Sequence, residues 1–106
     1  MEKIKCIYAI KDKRNDKVIY VGMTTNLELR KDAHFCSKSS NIAKYLFEQG
    51  RDNFEMIVLE YFEDNITIKE MRKKEDDYIL KFNTIEEGLN KIRSGNIEID
   101  NLSKYN

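Results

Sequence analysis

The chain has 106 residues, 41% hydrophobic and 36% charged, which is enough for one compact domain with a modest core and too few for two. It contains no proline and only four glycines, which argues against a disordered or loop-rich chain. No apolar run approaches the roughly 18 residues of a membrane span, and the N-terminus lacks a signal-peptide core. We therefore expect a protein of the cytoplasm or the nucleus with no membrane partner.

The formal net charge is zero, which by itself does not favour a nucleic-acid partner. The charges are unevenly distributed, however. Residues 1–38 carry nine basic and five acidic groups, a balance of +4, whereas residues 39–64 carry two basic and six acidic groups, a balance of −4. A basic N-terminal third could face phosphates while the acidic segment faces away, although ordinary surface charge would give the same pattern.

The first elements in chain order predict a β-hairpin. Residues 4–11 alternate as a strand, with one face formed by Ile4, Cys6, Tyr8 and Ile10. Residues 17–22 form a second strand in which Val18 and Tyr20 are expected on one face. The short polar turn over residues 12–16 makes the pair antiparallel.

Two helices are expected next. Thr25 and Glu28 have the spacing of a capping box, which predicts a helix that ends near residue 36. A second helix is predicted over residues 41–49, with Ser39 or Ser40 as its N-cap.

The remaining pattern predicts a third strand over residues 54–61 and a third helix from Thr67 to Phe82. The order β-β-α-α-β-α indicates an α+β domain with a small three-stranded antiparallel sheet flanked by helices. We assign residues 1–92 to this domain and residues 93–106 to a polar C-terminal tail.

Glu75 conflicts with the pattern of the third helix. It lies on the face expected to be buried, together with Ile68, Met71, Tyr78, Ile79 and Phe82. A carboxylate there is costly to desolvate without a partner. A neighbouring Arg or Lys, or an edge position that reaches water, would explain it. Alternatively, Glu75 is a ligand for Mg²⁺, which needs few protein carboxylates when phosphate and water fill its other positions.

Two further pairs could serve phosphate chemistry. Arg30 and His34 are four residues apart and share a helix face. An exposed pair of this kind usually has no function, but beside a phosphate Arg could bind it and His could relay a proton. Tyr8 and Tyr20 occupy matching phases of the paired strands. Cross-strand packing would explain the tyrosines, but their hydroxyls could also transfer protons if their pKa were lowered.

Taken together, these features resemble the GIY-YIG nuclease family. Cys6-Ile7-Tyr8 and Tyr20-Val21-Gly22 resemble the two tripeptides that give the family its name. The resemblance continues through Asn26-Leu27, Arg30 and His34, the strand from Phe54 to Phe62, Glu75 to Ile79, and Gly88-Leu89-Asn90. The segment over residues 41–90 is most similar to the homing-endonuclease-like branch of phages and large viruses.

The resemblance implies a DNA endonuclease that uses one divalent ion, Mg²⁺ with Mn²⁺ as a substitute. It implies that Tyr8 takes a proton from the attacking water and that Tyr20 orients Tyr8 or the phosphate. Arg30 would balance charge on the phosphoryl oxygens and His34 would assist proton transfer or hold the phosphate. The resemblance also implies that Glu75 is the metal ligand and that Asn90 fixes the site.

The sequence departs from the family pattern at two positions. Cys6 replaces the usual Gly, and Met23 stands where several relatives carry Lys. Two other functions stay open, a nucleic-acid-binding module without catalysis and a protein-interaction domain without nucleic acid. If the domain is a nuclease, a homodimer or a separate targeting partner could supply specificity, because few residues follow Asn90.

Overall fold

The computed structural model describes residues 3–38, 40–84 and 90. Its elements, in chain order, are β1 (Cys6–Asp12), β2 (Lys17–Thr24), α1 (Leu27–Phe35), α2 (Asn41–Gln49), a short 3-10 helix (Arg51–Asn53), β3 (Phe54–Tyr61) and α3 (Ile68–Phe82). This confirms the α+β class and the order β-β-α-α-β-α. No helix in these ranges has both the length and the apolar character needed to cross a membrane.

The three strands form one antiparallel sheet in the order β2-β1-β3, with β1 at its centre. Its two faces carry separate apolar clusters. The α1/α2 face carries Cys6, Tyr8, Ile10, Ile19, Ile42, Leu46 and Phe54. The α3 face carries Ile7, Ala9, Val21 and Ile79. Both faces of β1 are therefore buried, which explains why it is apolar at almost every position rather than at alternate ones.

An irregularity in β2 overturns the expectation that Val18 shares a face with Tyr20. Ile10 pairs with Tyr20, but the next residue of β1, Lys11, pairs with Val18, so Ile19 is an extra residue in β2. Such a bulge reverses the alternation of side chains beyond it. Ile19 and Tyr20 consequently pack on the α1/α2 face, whereas Val18 packs on the α3 face.

The predicted capping box of Thr25 and Glu28 is wrong. The N-cap of α1 is Asn26, whose Oδ1 accepts a hydrogen bond from the Leu29 amide at 3.2 Å. β2 continues to Thr24, whose hydroxyl accepts from the Asn26 amide at 3.0 Å. This local turn positions Asn26 as the cap, and Asn is at least as good a cap as Thr.

The other helix boundaries were predicted correctly. Ser40 caps α2, with its hydroxyl accepting from the Ala43 amide at 3.1 Å. α3 has the predicted capping box, in which Thr67 and Glu70 each bond the other's backbone amide. Met71 and Ile79 of its apolar face are buried, but Ile68 is 44% exposed because it lies in the first turn. The predicted tail, residues 93–106, lies outside the described residues.

Candidate active site

Tyr8 is at the centre of the site. It stands mid-strand in β1, is 1% exposed, and pairs across the sheet with Gly22 of β2. Its ring lies directly over that glycine, because a Cβ added to Gly22 would lie 2.5 Å from Tyr8 Cζ and 2.9 Å from Cε2. Glycine is therefore the residue at position 22 that leaves room for this ring.

Sequence reasoning quoted Gly22 within a tripeptide but gave it no role. The available signal was a lone glycine inside an apolar strand, which often marks a close approach of another group.

His34 approaches Tyr8 from α1. Its Nε2 lies 2.8 Å from the Tyr8 hydroxyl, and the imidazole is 3% exposed. Tyr20, half-buried on β2, completes a compact group of three rings. The centroids are separated by 6.2 Å for Tyr8 and Tyr20, 5.6 Å for Tyr8 and His34, and 5.8 Å for Tyr20 and His34. The rings thus form a nearly equilateral triangle.

Glu75 and Arg30 bring opposite charges to this ring triangle. Glu75 on α3 is 8% exposed, as its place on the buried face of the helix predicted. Its negative charge raises the pKa of Tyr8 and of Tyr20, whereas the positive charge of Arg30 lowers both. Arg30 is exposed on α1, one turn before His34. The structure therefore brings together Tyr8, Tyr20, Arg30, His34 and Glu75.

The tyrosines do not have the lowered pKa that proton transfer by an isolated phenolate would require. Burial raises the pKa of Tyr8 far above its usual value, and the nearby Tyr20 and Glu75 raise it further. Burial is also the main reason that the pKa of Tyr20 is raised. Both phenols are protonated at neutral pH, so any proton that Tyr8 accepts must be balanced by release of its own.

His34 is the group that can receive the Tyr8 proton. Burial, assisted by the charge of Arg30, lowers the pKa of His34 to about 4, so the imidazole is neutral at pH 7. The Tyr8 hydroxyl and His34 Nε2 share a hydrogen bond, and the imidazole tautomer sets which of the two donates. His34 Nδ1 is buried and has no hydrogen-bond partner among the described residues. The ring is thus held mainly through Tyr8 and by packing.

Asn90 acts on the backbone of β2. Its side-chain Oδ1 accepts from the Val21 amide and its Nδ2 donates to the Val21 carbonyl, both at 2.8 Å. The amide group therefore pairs with the free edge of β2 as a neighbouring strand would. Because Val21 lies between Tyr20 and Gly22, Asn90 holds the strand that presents Tyr20 and accommodates the Tyr8 ring.

The two departures from the family pattern have structural explanations. Cys6 is fully buried on the α1/α2 face, and burial raises the pKa of its thiol to about 11, so it acts as a small core residue. Met23 is half-buried and packs with the apolar residues of the α3 face. At this position an apolar side chain contributes to the core.

The described residues contain no group of three or more His, Cys, Asp or Glu side chains that could hold a metal ion. The donor that fits a divalent ion is the largely buried carboxylate of Glu75, beside the hydroxyls of Tyr8 and Tyr20. Oxygen donors of this kind suit Mg²⁺, which commonly keeps several waters and binds through one or two carboxylates together with substrate phosphate.

Residues 4–90 match the GIY-YIG catalytic domain. The chain belongs to the GIY-YIG family. A GIY-YIG assignment makes it a nuclease domain, with DNA as the substrate class.

Solved structures agree with this assignment. The chain is similar to the catalytic domain of the intron endonuclease I-TevI, solved as a glutamate-to-alanine mutant. Their identity is 26% and the TM-score is 0.68, covering 85% of this chain and 95% of that one. A second structure, the catalytic domain of the homing endonuclease I-TevI, has 27% identity and a TM-score of 0.62, covering 79% and 94%. A search of the curated proteins found no significant match.

Proposed function

We propose that this domain is an endonuclease that hydrolyses DNA phosphodiester bonds with one divalent ion bound at Glu75, Mg²⁺ in the cell and Mn²⁺ as a substitute. The observation that carries the proposal is the convergence of the ring triangle with Glu75 and Arg30 around one buried hydroxyl, that of Tyr8. The similarity to the catalytic domain of a homing endonuclease supports the same reaction class.

The residues divide the chemistry as follows. Tyr8 takes a proton from the attacking water while it passes its own proton to His34 Nε2, 2.8 Å away. Tyr20 helps to orient Tyr8 or the phosphate. Arg30, which is exposed at the end of the site, contacts the phosphoryl oxygens and balances the charge that develops on them.

Glu75 is the proposed metal ligand, and a divalent ion there would supply positive charge for the phosphate and lower the pKa of a bound water. On α3, Glu75 lies one turn after the buried Met71 and one turn before the buried Ile79. Burial is the main cause of the raised pKa of Tyr8 and of Tyr20, and the negative charge of Glu75 adds to both shifts.

A plasmid-nicking assay tests the proposal. Supercoiled plasmid and branched DNA are incubated with the protein in Mg²⁺, in Mn²⁺ and in EDTA. We expect nicking with either metal, none in EDTA, and a loss of about 10²-fold or more for Glu75→Gln. Asp77→Asn is the matched control, because Asp77 is exposed on the same helix.

Equal nicking by Glu75→Gln and wild type would rule out the proposed metal ligand. DNA binding without cleavage in any divalent metal would indicate a binding module instead. A homodimer or a separate targeting partner, and a location in the cytoplasm or the nucleus, stay predictions.

A further inference from the structure

Phe47 forms an unusual surface feature at the end of α2. It is 49% exposed, yet two cations lie over its ring. Lys38 Nζ is 4.5 Å from the ring centroid and Arg51 Cζ is 5.0 Å from it. Arg51 is held in place by a 3.0 Å hydrogen bond from its Nη2 to the Ser37 carbonyl. We call Lys38, Phe47 and Arg51 the Phe47 patch.

No carboxylate of the described residues neutralises the positive charges of the Phe47 patch. Within the described ranges, neither Lys38 nor Arg51 forms an ion pair, and Arg51 Nε is buried with no hydrogen-bond partner. Glu48 and Asp52 are exposed and close in sequence but do not pair with either cation. The ring offsets part of the repulsion through cation–π attraction. Two cations over one ring, with no carboxylate partner among the described residues, are suited to an anionic ligand.

The Phe47 patch follows α1 closely in the chain. Lys38 comes four residues after His34 and three after the end of α1 at Phe35. Four residues span at most about 14 Å between Cα atoms, even when fully extended. Neighbouring phosphates of one DNA strand are about 3.4 Å apart along the duplex axis. A phosphate within about four positions of the cleaved bond is therefore within reach of Lys38.

We propose, on the basis of the endonuclease function above, that the Phe47 patch binds the backbone of the DNA strand next to the cleaved bond. Lys38 and Arg51 contact its phosphates, and the exposed part of the Phe47 side chain packs against a deoxyribose or base. The patch would thus supply affinity that is independent of sequence and would set how the strand leaves the site.

Binding without cleavage tests this proposal. Fluorescence anisotropy of a labelled duplex is measured in EDTA over a series of salt concentrations. Each neutralised phosphate contributes about 0.9 to the slope of log K against log salt. We expect Lys38→Ala to weaken binding about 3- to 10-fold at low salt and to reduce the slope by about one unit. Lys69→Ala, at an exposed lysine on α3, should change neither.

Phe47→Ala tests the aromatic contribution, with Leu80→Ala as a control at another exposed apolar side chain. We expect weaker DNA binding for the former alone, with the same melting temperature in both. A Lys38→Ala protein with wild-type affinity and slope would overturn the proposal, as would a wild type that binds no DNA at low salt. Displacement of DNA by polyglutamate at equal charge would also overturn it, in favour of an acidic protein partner.

These outcomes are separable from the nuclease proposal. If the wild type cleaves DNA and Lys38→Ala leaves the salt dependence of DNA binding unchanged, only the proposed role of the Phe47 patch is wrong. If Lys38→Ala reduces the salt dependence of DNA binding but the wild type cleaves DNA in no metal, the endonuclease proposal is wrong and the proposed role of the Phe47 patch stands.

Discussion

The Tyr8 hydroxyl and His34 Nε2 lie 2.8 Å apart, and neither side chain is more than 3% exposed. The pKa of the phenol is raised and that of the imidazole is lowered, both mainly by burial. At pH 7 the hydrogen bond therefore joins two neutral groups. Such a pair can move a proton without leaving a charge buried at rest.

Tyr8→Phe tests this pair directly. Loss of the hydroxyl removes the proposed proton acceptor, so we expect nicking to fall by about 10²-fold or more. His34 Nε2 would lose its partner in a buried setting, which should lower the free energy of unfolding by about 1–3 kcal/mol. Plasmid nicking and chemical denaturation measure the two effects. Tyr61→Phe, at a 66% exposed tyrosine, is the control. Wild-type nicking by Tyr8→Phe would contradict the assignment.

The titration of His34 should make stability depend on pH. Its pKa is about 4 in the folded chain and near the ordinary value of 6.5 when unfolded. Because the folded value is the lower one, the unfolded chain binds the proton first as pH falls. Stability from this group is complete above pH 6.5 and is lost as pH falls towards 4. The total is about 3 kcal/mol.

Since His34 is the single histidine, NMR titration of its ring protons is unambiguous. We expect a midpoint near 4. We also expect denaturation curves of His34→Gln to show a smaller fall in stability between pH 6.5 and 4 than wild type. A ring titrating between 6 and 7 would contradict the buried, neutral state.

Metal binding should be visible as thermal stabilisation. A ligand that binds the folded state alone raises stability by RT ln(1 + [L]/Kd), about 2.7 kcal/mol at 100 times Kd. We expect Mn²⁺ to raise the melting temperature of wild type and of Asp77→Asn but not of Glu75→Gln. An equal rise in all three proteins would place the ion elsewhere.

Gly22→Ala should disturb the site without removing any functional group. The added Cβ would collide with the Tyr8 ring, which must then move. We expect a loss of about 1–3 kcal/mol of stability and a fall in nicking rate. In a double-mutant cycle the same change should cost less in a Tyr8→Val background, where the ring is absent. Additive effects would show that the two residues do not conflict.

Asn90→Ala should loosen β2. The change leaves the Val21 amide and carbonyl without their 2.8 Å partners, and we expect it to cost about 1–3 kcal/mol. Hydrogen exchange of the Val21 amide should accelerate more than that of Ala9 in the central strand. Unchanged protection of Val21 would mean that Asn90 is not required at the edge.

Local signals predicted much of the fold. The capping box of Thr67 and Glu70 was predicted correctly, and both of its hydrogen bonds join residues within four positions of each other. The N-cap predicted at Thr25 was wrong because Thr24 and Asn26 form a turn of their own, in which Asn26 is the N-cap of α1. The sheet face predicted for Val18 was wrong because the bulge at Ile19 depends on pairing with β1. The alternation of residues along β2 alone does not reveal that bulge.

The sequence indicated which residues form the site but not which of them contact each other. Glu75 was recognised physically because a carboxylate on an apolar helix face is costly. The hydrogen bond between Tyr8 and His34 joins residues far apart in the chain and depends on how α1 packs on the sheet. The raised pKa of Tyr8 follows from burial on that face, so it could not be inferred from the sequence.

The link between Val21 and Asn90 spans 69 residues and has a consequence for synthesis. The rings of Tyr8, Tyr20 and His34 are translated early, whereas Glu75 and Asn90 follow much later. During synthesis the chain contains Tyr8, Tyr20 and His34 before it contains Glu75 or Asn90. A nascent polypeptide is therefore expected to be unable to cut DNA until its domain has been completed.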